Sequence, residues 1–151
     1  MALTEGIKAP EIHLTDESGN PFSLSSLLGK SVALYFYPKA GTGGCTLESK
    51  EFRDQSAEFA NRDAVIVGIS PDKEADQMKF KTELNLPFRL LADDSHTVAE
   101  AYGVWKEKFK DGQTSMGVDR TTFLIGPDGL IQKIFKNVNP DGHAEQVLAE
   151  I

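Results

Sequence analysis

The chain carries one cysteine, Cys45, and the residues before it form a setting in which a thiol can act as a nucleophile. An apolar run from Ser31 to Tyr37 stops at Pro38, the glycine-rich loop Lys39-Ala40-Gly41-Thr42-Gly43-Gly44 follows, and a helical pattern begins at Cys45. Open α/β sheets place ligands at such strand-to-helix switches, and the first amides of a helix have no partner within it. Both features favour an anion, so a thiol placed there is biased towards the thiolate, its nucleophilic form. A structural role competes with this reading. Free cysteine is among the most buried residue types, and Cys45 shares a stripe with Phe52 and Phe59 at intervals of seven residues, with Ser49 and Ser56 beside them.

Thr42 stands three residues before Cys45, and its hydroxyl can donate a hydrogen bond to a small substrate or accept one from it. Thr42 also reads as the N-cap of the helix, and the two roles are compatible. Gly41, Gly43 and Gly44 let the backbone approach a substrate closely. A phosphate cradle is the rival use of such a turn. Against it, Gly41-Thr42-Gly43-Gly44-Cys45-Thr46 has neither a Gly-Lys-Ser/Thr ending nor the Gly-x-Gly-x-x-Gly spacing. Arg120 opens the apolar segment Arg120 to Ile125, which puts its guanidinium at a strand end. There it reads as a surface ion pair or, if the fold brings it to the thiolate, as the group that steadies the anion and holds an oxygen substrate. The histidines, His13, His96 and His143, have no cysteine or carboxylate at ligand spacing, so no metal site is expected and each reads as a surface or satisfied residue.

Hydrophobic period and turn residues mark the elements that would position these groups. Glu11 to Leu14, the turn Asp16 to Asn20, and Pro21 to Leu24 read as an N-terminal β-hairpin. Ser31 to Tyr37 is apolar on both faces, as a central strand covered by helices should be. The pattern then predicts a helix from Cys45 to Asn61, a strand from Ala64 to Ser70, and a helix opened by Pro71-Asp72 and running to Leu84. A strand from Pro87 to Leu91 and a short helix from Thr97 to Tyr102 come next. Trp105-Lys106-Glu107-Lys108-Phe109-Lys110 reads as a solvated connector or as a contact for a small anionic partner. Arg120 to Ile125 and Leu130 to Lys136 form a hairpin about Gly126-Pro127-Asp128-Gly129, and Asp141 to Ile151 is a closing helix. This order implies an α/β fold with a mixed central sheet flanked by helices, the plan of thioredoxin-like domains.

The 151 residues suit one domain, 1–151, with no internal repeat or linker. Lys and Arg number 16 against 23 Asp and Glu, a net charge of −7, which argues against nucleic acid or an anionic membrane surface as partner. The longest apolar runs are strand-sized, far short of the ~20 residues of a membrane span. A lone cysteine excludes an internal disulfide. With an N-terminus, from Met1 to Lys8, that lacks the pattern of a secretory signal, it points to the cytoplasm.

Taken together, Pro38-x-x-x-Thr42-x-x-Cys45 resembles the active-site signature of the peroxiredoxins, thiol peroxidases of thioredoxin-like fold. Gly6-x-x-Ala9-Pro10, Leu27-x-Gly29-Lys30, Leu34 to Lys39, Glu51-Phe52-Arg53-Asp54, Ala101-Tyr102-Gly103-Val104 and Arg120-x-Thr122-Phe123-Leu124-Ile125 are similar to the bacterioferritin comigratory protein (PrxQ) branch, in the same order along nearly the whole chain. The resemblance implies a cofactor-free enzyme that reduces hydrogen peroxide and small organic hydroperoxides. It implies that Cys45 is the peroxidatic cysteine, Thr42 the hydroxyl that orients the peroxide, Arg120 the active-site arginine and Pro38 the residue shielding the site, with Gly44 among the backbone groups at the substrate. Two positions depart from the branch: Gly43 stands where many members have proline, and Lys50 and Lys81 stand where a resolving cysteine is often found. The expected cycle is therefore of single-cysteine type, recycled by an external thiol such as glutathione, glutaredoxin or thioredoxin, in a monomer or weak homodimer. Two other functions stay open on the residues alone: a thioredoxin-fold binding or chaperone module with an inert cysteine, and a phosphate-binding domain using Gly41 to Gly44.

Overall fold

The computed structural model describes residues 3–151; Met1 and Ala2, with which the segment read as lacking a secretory signal begins, lie outside the described residues. The central strand is β3 (Ser31–Phe36), whose six residues are all buried. Its alternation feeds two cores: Val32, Leu34 and Phe36 point to one face, and Ala33 and Tyr35, followed by Tyr37, to the other. A strand covered on both faces has no polar side to spare, which is why this segment reads as an unbroken apolar run.

Numbered along the chain, the strands are β1 (His13–Asp16), β2 (Pro21–Ser23), β3, β4 (Ala64–Ser70), β5 (Arg89–Ala92), β6 (Trp105–Lys110), β7 (Gln113–Val118), β8 (Thr121–Ile125) and β9 (Ile131–Phe135). Seven of them form one sheet in the order β2-β1-β5-β4-β3-β8-β9. β3, β4 and β5 run parallel, while β1–β2 and β8–β9 add antiparallel pairs at the two edges. The helices are α1 (Gly43–Asp54), α2 (Ser56–Asn61), α3 (Glu74–Leu84), α4 (Thr97–Ala101) and α5 (His143–Leu148). Phe52 of α1, Phe59 of α2, Phe80 of α3 and Val147 of α5 enter one core, and Val98 and Ala99 of α4 the other. The fold is the expected thioredoxin-like α/β plan with its N-terminal hairpin.

Several elements differ from the sequence reading, among them β8, which starts at Thr121 and leaves Arg120 in the link before it, and α3, which starts at Glu74 rather than at Pro71-Asp72. The single helix expected from Cys45 to Asn61 breaks at Gln55, where φ is −99° and ψ 2°, within Asp54-Gln55-Ser56. Asp and Ser side chains compete for backbone hydrogen bonds and weaken a helix there, and the break still lets Phe59 pack 5.8 Å from Phe52, centroid to centroid. β5 begins at Arg89 rather than Pro87, since proline has no N–H to give a ladder. The expected connector at Trp105 to Lys110 is instead strand β6, paired with β7 in a separate two-stranded sheet. The missed signal was Asp111-Gly112: both residues have positive φ, 53° and 75°, the primed-turn conformation that closes a two-residue hairpin.

Candidate active site

The site is built on the buried stripe of α1, which consists of Cys45, Glu48, Ser49 and Phe52. That spacing lines one face of a helix. The sheet receives it through Tyr35, whose hydroxyl shares a hydrogen bond of 2.9 Å with Ser49 Oγ and whose ring stacks on Phe52 at 4.6 Å. Tyr35 pairs in register with Gly68 of β4, and a Cβ on Gly68 would stand 2.9 Å from the Tyr35 ring. A larger residue at 68 would therefore push out the side chain on which α1 rests.

Cys45 lies in the first turn of α1 and is fully buried. Arg120, in the short link between β7 and β8, reaches it: Nη2 donates to Sγ over 3.5 Å, and Nη1 donates to Glu48 Oε1 over 2.9 Å. The guanidinium thus bridges the thiol to a carboxylate one helical turn away. Its approach depends on Gly44, where a Cβ would stand 2.9 Å from Nη2. Burial works against the Arg120 charge, but Cys45 and Glu48 together hold its pKa above the usual value. Burial pushes Glu48 up to about 7 although Arg120 opposes the shift, and Glu48 Oε2 is buried with no hydrogen-bond partner among the described residues.

Around this centre, Thr42 occupies the N-cap position of α1, but its hydroxyl makes no capping bond and donates to Lys39 O over 2.8 Å. Pro38 is half-buried at the end of β3, and Gly44 is half-buried beside Arg120. His143 is buried, shares a 2.7 Å hydrogen bond with Thr122 and meets Phe52 edge-on, which makes it the satisfied histidine expected. Burial lowers its pKa to about 4, with the Arg120 charge acting in the same direction. The fold therefore joins Cys45, Arg120 and Gly44 directly, and it sets Thr42 and Pro38 on the loop that enters the same turn. Sequence reasoning missed Glu48. The available signal was a carboxylate three residues after Cys45 on a core-facing stripe, since a buried charge demands a partner.

The arrangement can hold a thiolate against a fixed positive charge and offer unpaired helix amides and an arginine to a second anionic atom. A surface cavity of about 650 Å³, lined by Phe59, Ile66, Lys81 and Phe88 among others, opens at the start of β4 and β5 and has neither Cys45 nor Arg120 in its wall. Among the described residues, no group of three or more His, Cys, Asp or Glu could hold a metal ion.

Comparison with known proteins gives a consistent result. Residues 6–134 match the family model described as AhpC/TSA family. Peroxiredoxin Bcp of Bacillus subtilis is 45% identical over 148 residues, covering 98% of this chain and 94% of that protein. Peroxiredoxin Bcp of Escherichia coli is 38% identical over 146 residues, covering 97% and 94%. Among solved structures, a PrxQ mutant from Xylella fastidiosa superposes with a TM-score of 0.94 at 29% identity, over 99% of this chain and 96% of that one. The bacterioferritin comigratory protein of Xanthomonas campestris, studied for its alkyl peroxide reduction activity, superposes with a TM-score of 0.87 at 33% identity, over 91% and 88%.

Proposed function

The chain belongs to the AhpC/TSA family, among the Bcp/PrxQ peroxiredoxins, and from that membership we propose a reaction in which Cys45 is the peroxidatic nucleophile. The protein is a thiol-dependent peroxidase. The observation that carries the assignment of its site is the Arg120 guanidinium, bonded at once to Cys45 Sγ and Glu48.

The Cys45 thiolate attacks one oxygen of the hydroperoxide in line with the O–O bond. A sulfur–oxygen bond forms, the O–O bond breaks, and two electrons pass from sulfur to the peroxide. Negative charge builds on the departing oxygen, where Arg120 and the first α1 amides stabilise it, while the Thr42 hydroxyl, whose proton goes to Lys39 O, accepts from the peroxide O–H and orients it. That oxygen leaves as water or alcohol after taking a proton, and Cys45 becomes a sulfenic acid. Pro38 shields the sulfur from bulk water, and Gly44 keeps the approach to it open.

Recycling falls to an outside thiol, because the chain has no second cysteine. Lys50 lies exposed on α1, and Lys81 is engaged by the buried Glu17 at 3.1 Å. A first external thiol condenses with the sulfenic acid, releasing water and leaving a mixed disulfide; a second reduces that disulfide and frees Cys45. Glutathione, glutaredoxin or thioredoxin has the required chemistry. The unpaired thiol supports a reducing compartment such as the cytoplasm, and among the described residues no helix is long and apolar enough to cross a membrane. Both cores lie on faces of one sheet, which supports residues 1–151 as a single domain. The exposed apolar side chains Phe109 and Met116 share one face of the β6–β7 hairpin, a small patch that supports a monomer or weak homodimer. An inert-cysteine module or a phosphate cradle accounts for the pair of Arg120 with Glu48 but not for its second bond, to Cys45 Sγ.

The test is to mix reduced protein with hydrogen peroxide and follow Trp105 fluorescence, with intact mass to read Cys45. The expected result is oxidation orders of magnitude faster than that of free cysteine, one added oxygen, and no reaction in Cys45→Ser. A rate like that of free cysteine would overturn the assignment.

A further inference from the structure

The loop 38–42 carries Thr42 and leads into the first amides of α1, yet little holds it. Among the described residues, its one hydrogen bond to another element, beyond its own continuation into α1, runs from the Ala40 amide to Asp72 Oδ2 over 2.8 Å. The Thr42 amide and hydroxyl both turn back on Lys39 O, at 3.5 and 2.8 Å.

Asp72 is itself held from behind. Ser70 Oγ donates to the same Oδ2 over 2.6 Å and accepts from Gln77 Nε2 over 2.8 Å. Gln77 Nε2 also donates to Leu91 O over 2.8 Å, and Gln77 Oε1 accepts from the Tyr37 hydroxyl over 2.6 Å. Ser70, Gln77 and Tyr37 are fully buried or nearly so. Burial pushes the Tyr37 pKa up, so the phenol keeps its proton and donates. Every polarity in the chain then agrees with a carboxylate, an acceptor only, at its end. Tyr37 immediately precedes Pro38, so the bonds tie the entry of the loop to its middle. Asp72 also stands where a carboxylate would serve the start of α3, but α3 has no side-chain cap, and the group turns to the loop instead.

We propose that Asp72 is a positioning residue for the peroxide reaction, pinning Ala40 so that the Thr42 hydroxyl and the first α1 amides stay aligned on Cys45. The inference rests on the reading of Cys45 as the peroxidatic residue. Asp72 touches no reacting atom; it acts through the loop backbone, and a misplacement of about 1 Å caused far from the chemistry can cost about 100-fold in rate.

The experiment compares wild type, Asp72→Ala and Asp72→Asn in single-turnover oxidation by hydrogen peroxide and in alkylation of Cys45 by iodoacetamide, a thiol reaction that needs no aligned hydroxyl. Asp72→Ala should oxidise about tenfold more slowly or worse while its alkylation stays within about twofold of wild type, and Asp72→Asn, which can still accept from Ala40, should recover most of the rate. Wild-type oxidation in Asp72→Ala, an equal loss in both reactions, or an Asn variant as slow as the Ala variant would overturn the proposal. If Asp72→Ala does not fold, Ser70→Ala, which frees the carboxylate from its brace, is judged by the same selective loss. Wild-type protein no faster than free cysteine would sink the peroxidase assignment itself, an outcome distinct from failure of the Asp72 variants alone.

Discussion

At the scale of single residues, the site depends on one absent side-chain atom and one buried carboxylate. Gly44 lies in a helix, where alanine is favoured by about 1 kcal/mol, yet a Cβ there would stand 2.9 Å from Arg120 Nη2. Gly44→Ala should therefore lower thermal stability and slow peroxide oxidation about tenfold or more, because the guanidinium must leave the sulfur and strain its pair with the buried Glu48. Rapid-mixing rates set beside thermal melts check this, and a variant as fast as wild type would show that Arg120 has room to spare. Glu48 makes a second case. With its pKa raised by burial to about 7 from 4.5, the folded protein holds a proton between those values that the unfolded chain has lost. The contribution of Glu48 to stability is thus greatest below 4.5, falls as pH rises to about 7, and is constant above. Urea midpoints for wild type and Glu48→Gln should then move apart in favour of the variant across that window; parallel curves would mean that Arg120 keeps Glu48 ionised.

At the scale of elements, α1 is positioned by an aromatic stack. Phe52 sits between Tyr35, Phe59 and His143, with centroids 4.6, 5.8 and 5.8 Å away. Phe52→Ala should cost about 3–5 kcal/mol in chemical denaturation, the usual range for a buried phenylalanine. Where α5 meets the sheet, His143 has its pKa lowered by burial from 6.5 to about 4, so between those values the unfolded chain binds a proton that the folded protein does not. Its contribution to stability is present above 6.5 and is lost as pH falls to about 4, the reverse of Glu48. Unfolding of wild type and His143→Asn through that window isolates the effect, and equal pH slopes would refute it. The β6–β7 hairpin braces the other side of the site: Lys108 Nζ donates to Val118 O over 2.7 Å and pairs with Asp119 at 3.4 Å, directly before Arg120.

For the whole molecule, one cysteine decides the fate of the oxidised enzyme. No internal disulfide can trap the sulfenic acid, so peroxide in excess and without thiol should carry Cys45 on to sulfinic acid. Intact mass should show a second oxygen and an activity that thiol does not restore. With thiol present, a mixed-disulfide adduct should appear instead; a stable single-oxygen form under excess peroxide would show that the fold itself protects Cys45.

The order of elements and the loop before Cys45 were legible in the sequence, because apolar period, proline and glycine act locally and leave their mark at short range. The β6–β7 hairpin was legible too in Asp111-Gly112, although alternating lysines disguised it as a connector. Contacts between distant segments were not. Arg120 and Cys45 are 75 positions apart, and only the antiparallel pairing of β8 with β3 brings them within 3.5 Å. Glu48 is drawn into that contact by the same pairing, and Asp72 meets Ala40 because β4 lies beside β3. The sequence by itself determined that a thiol would stand at the mouth of a strand-to-helix loop. Which charges and braces surround that thiol was decided by the tertiary structure, since strand pairing sets neighbours by register across the sheet and not by separation along the chain.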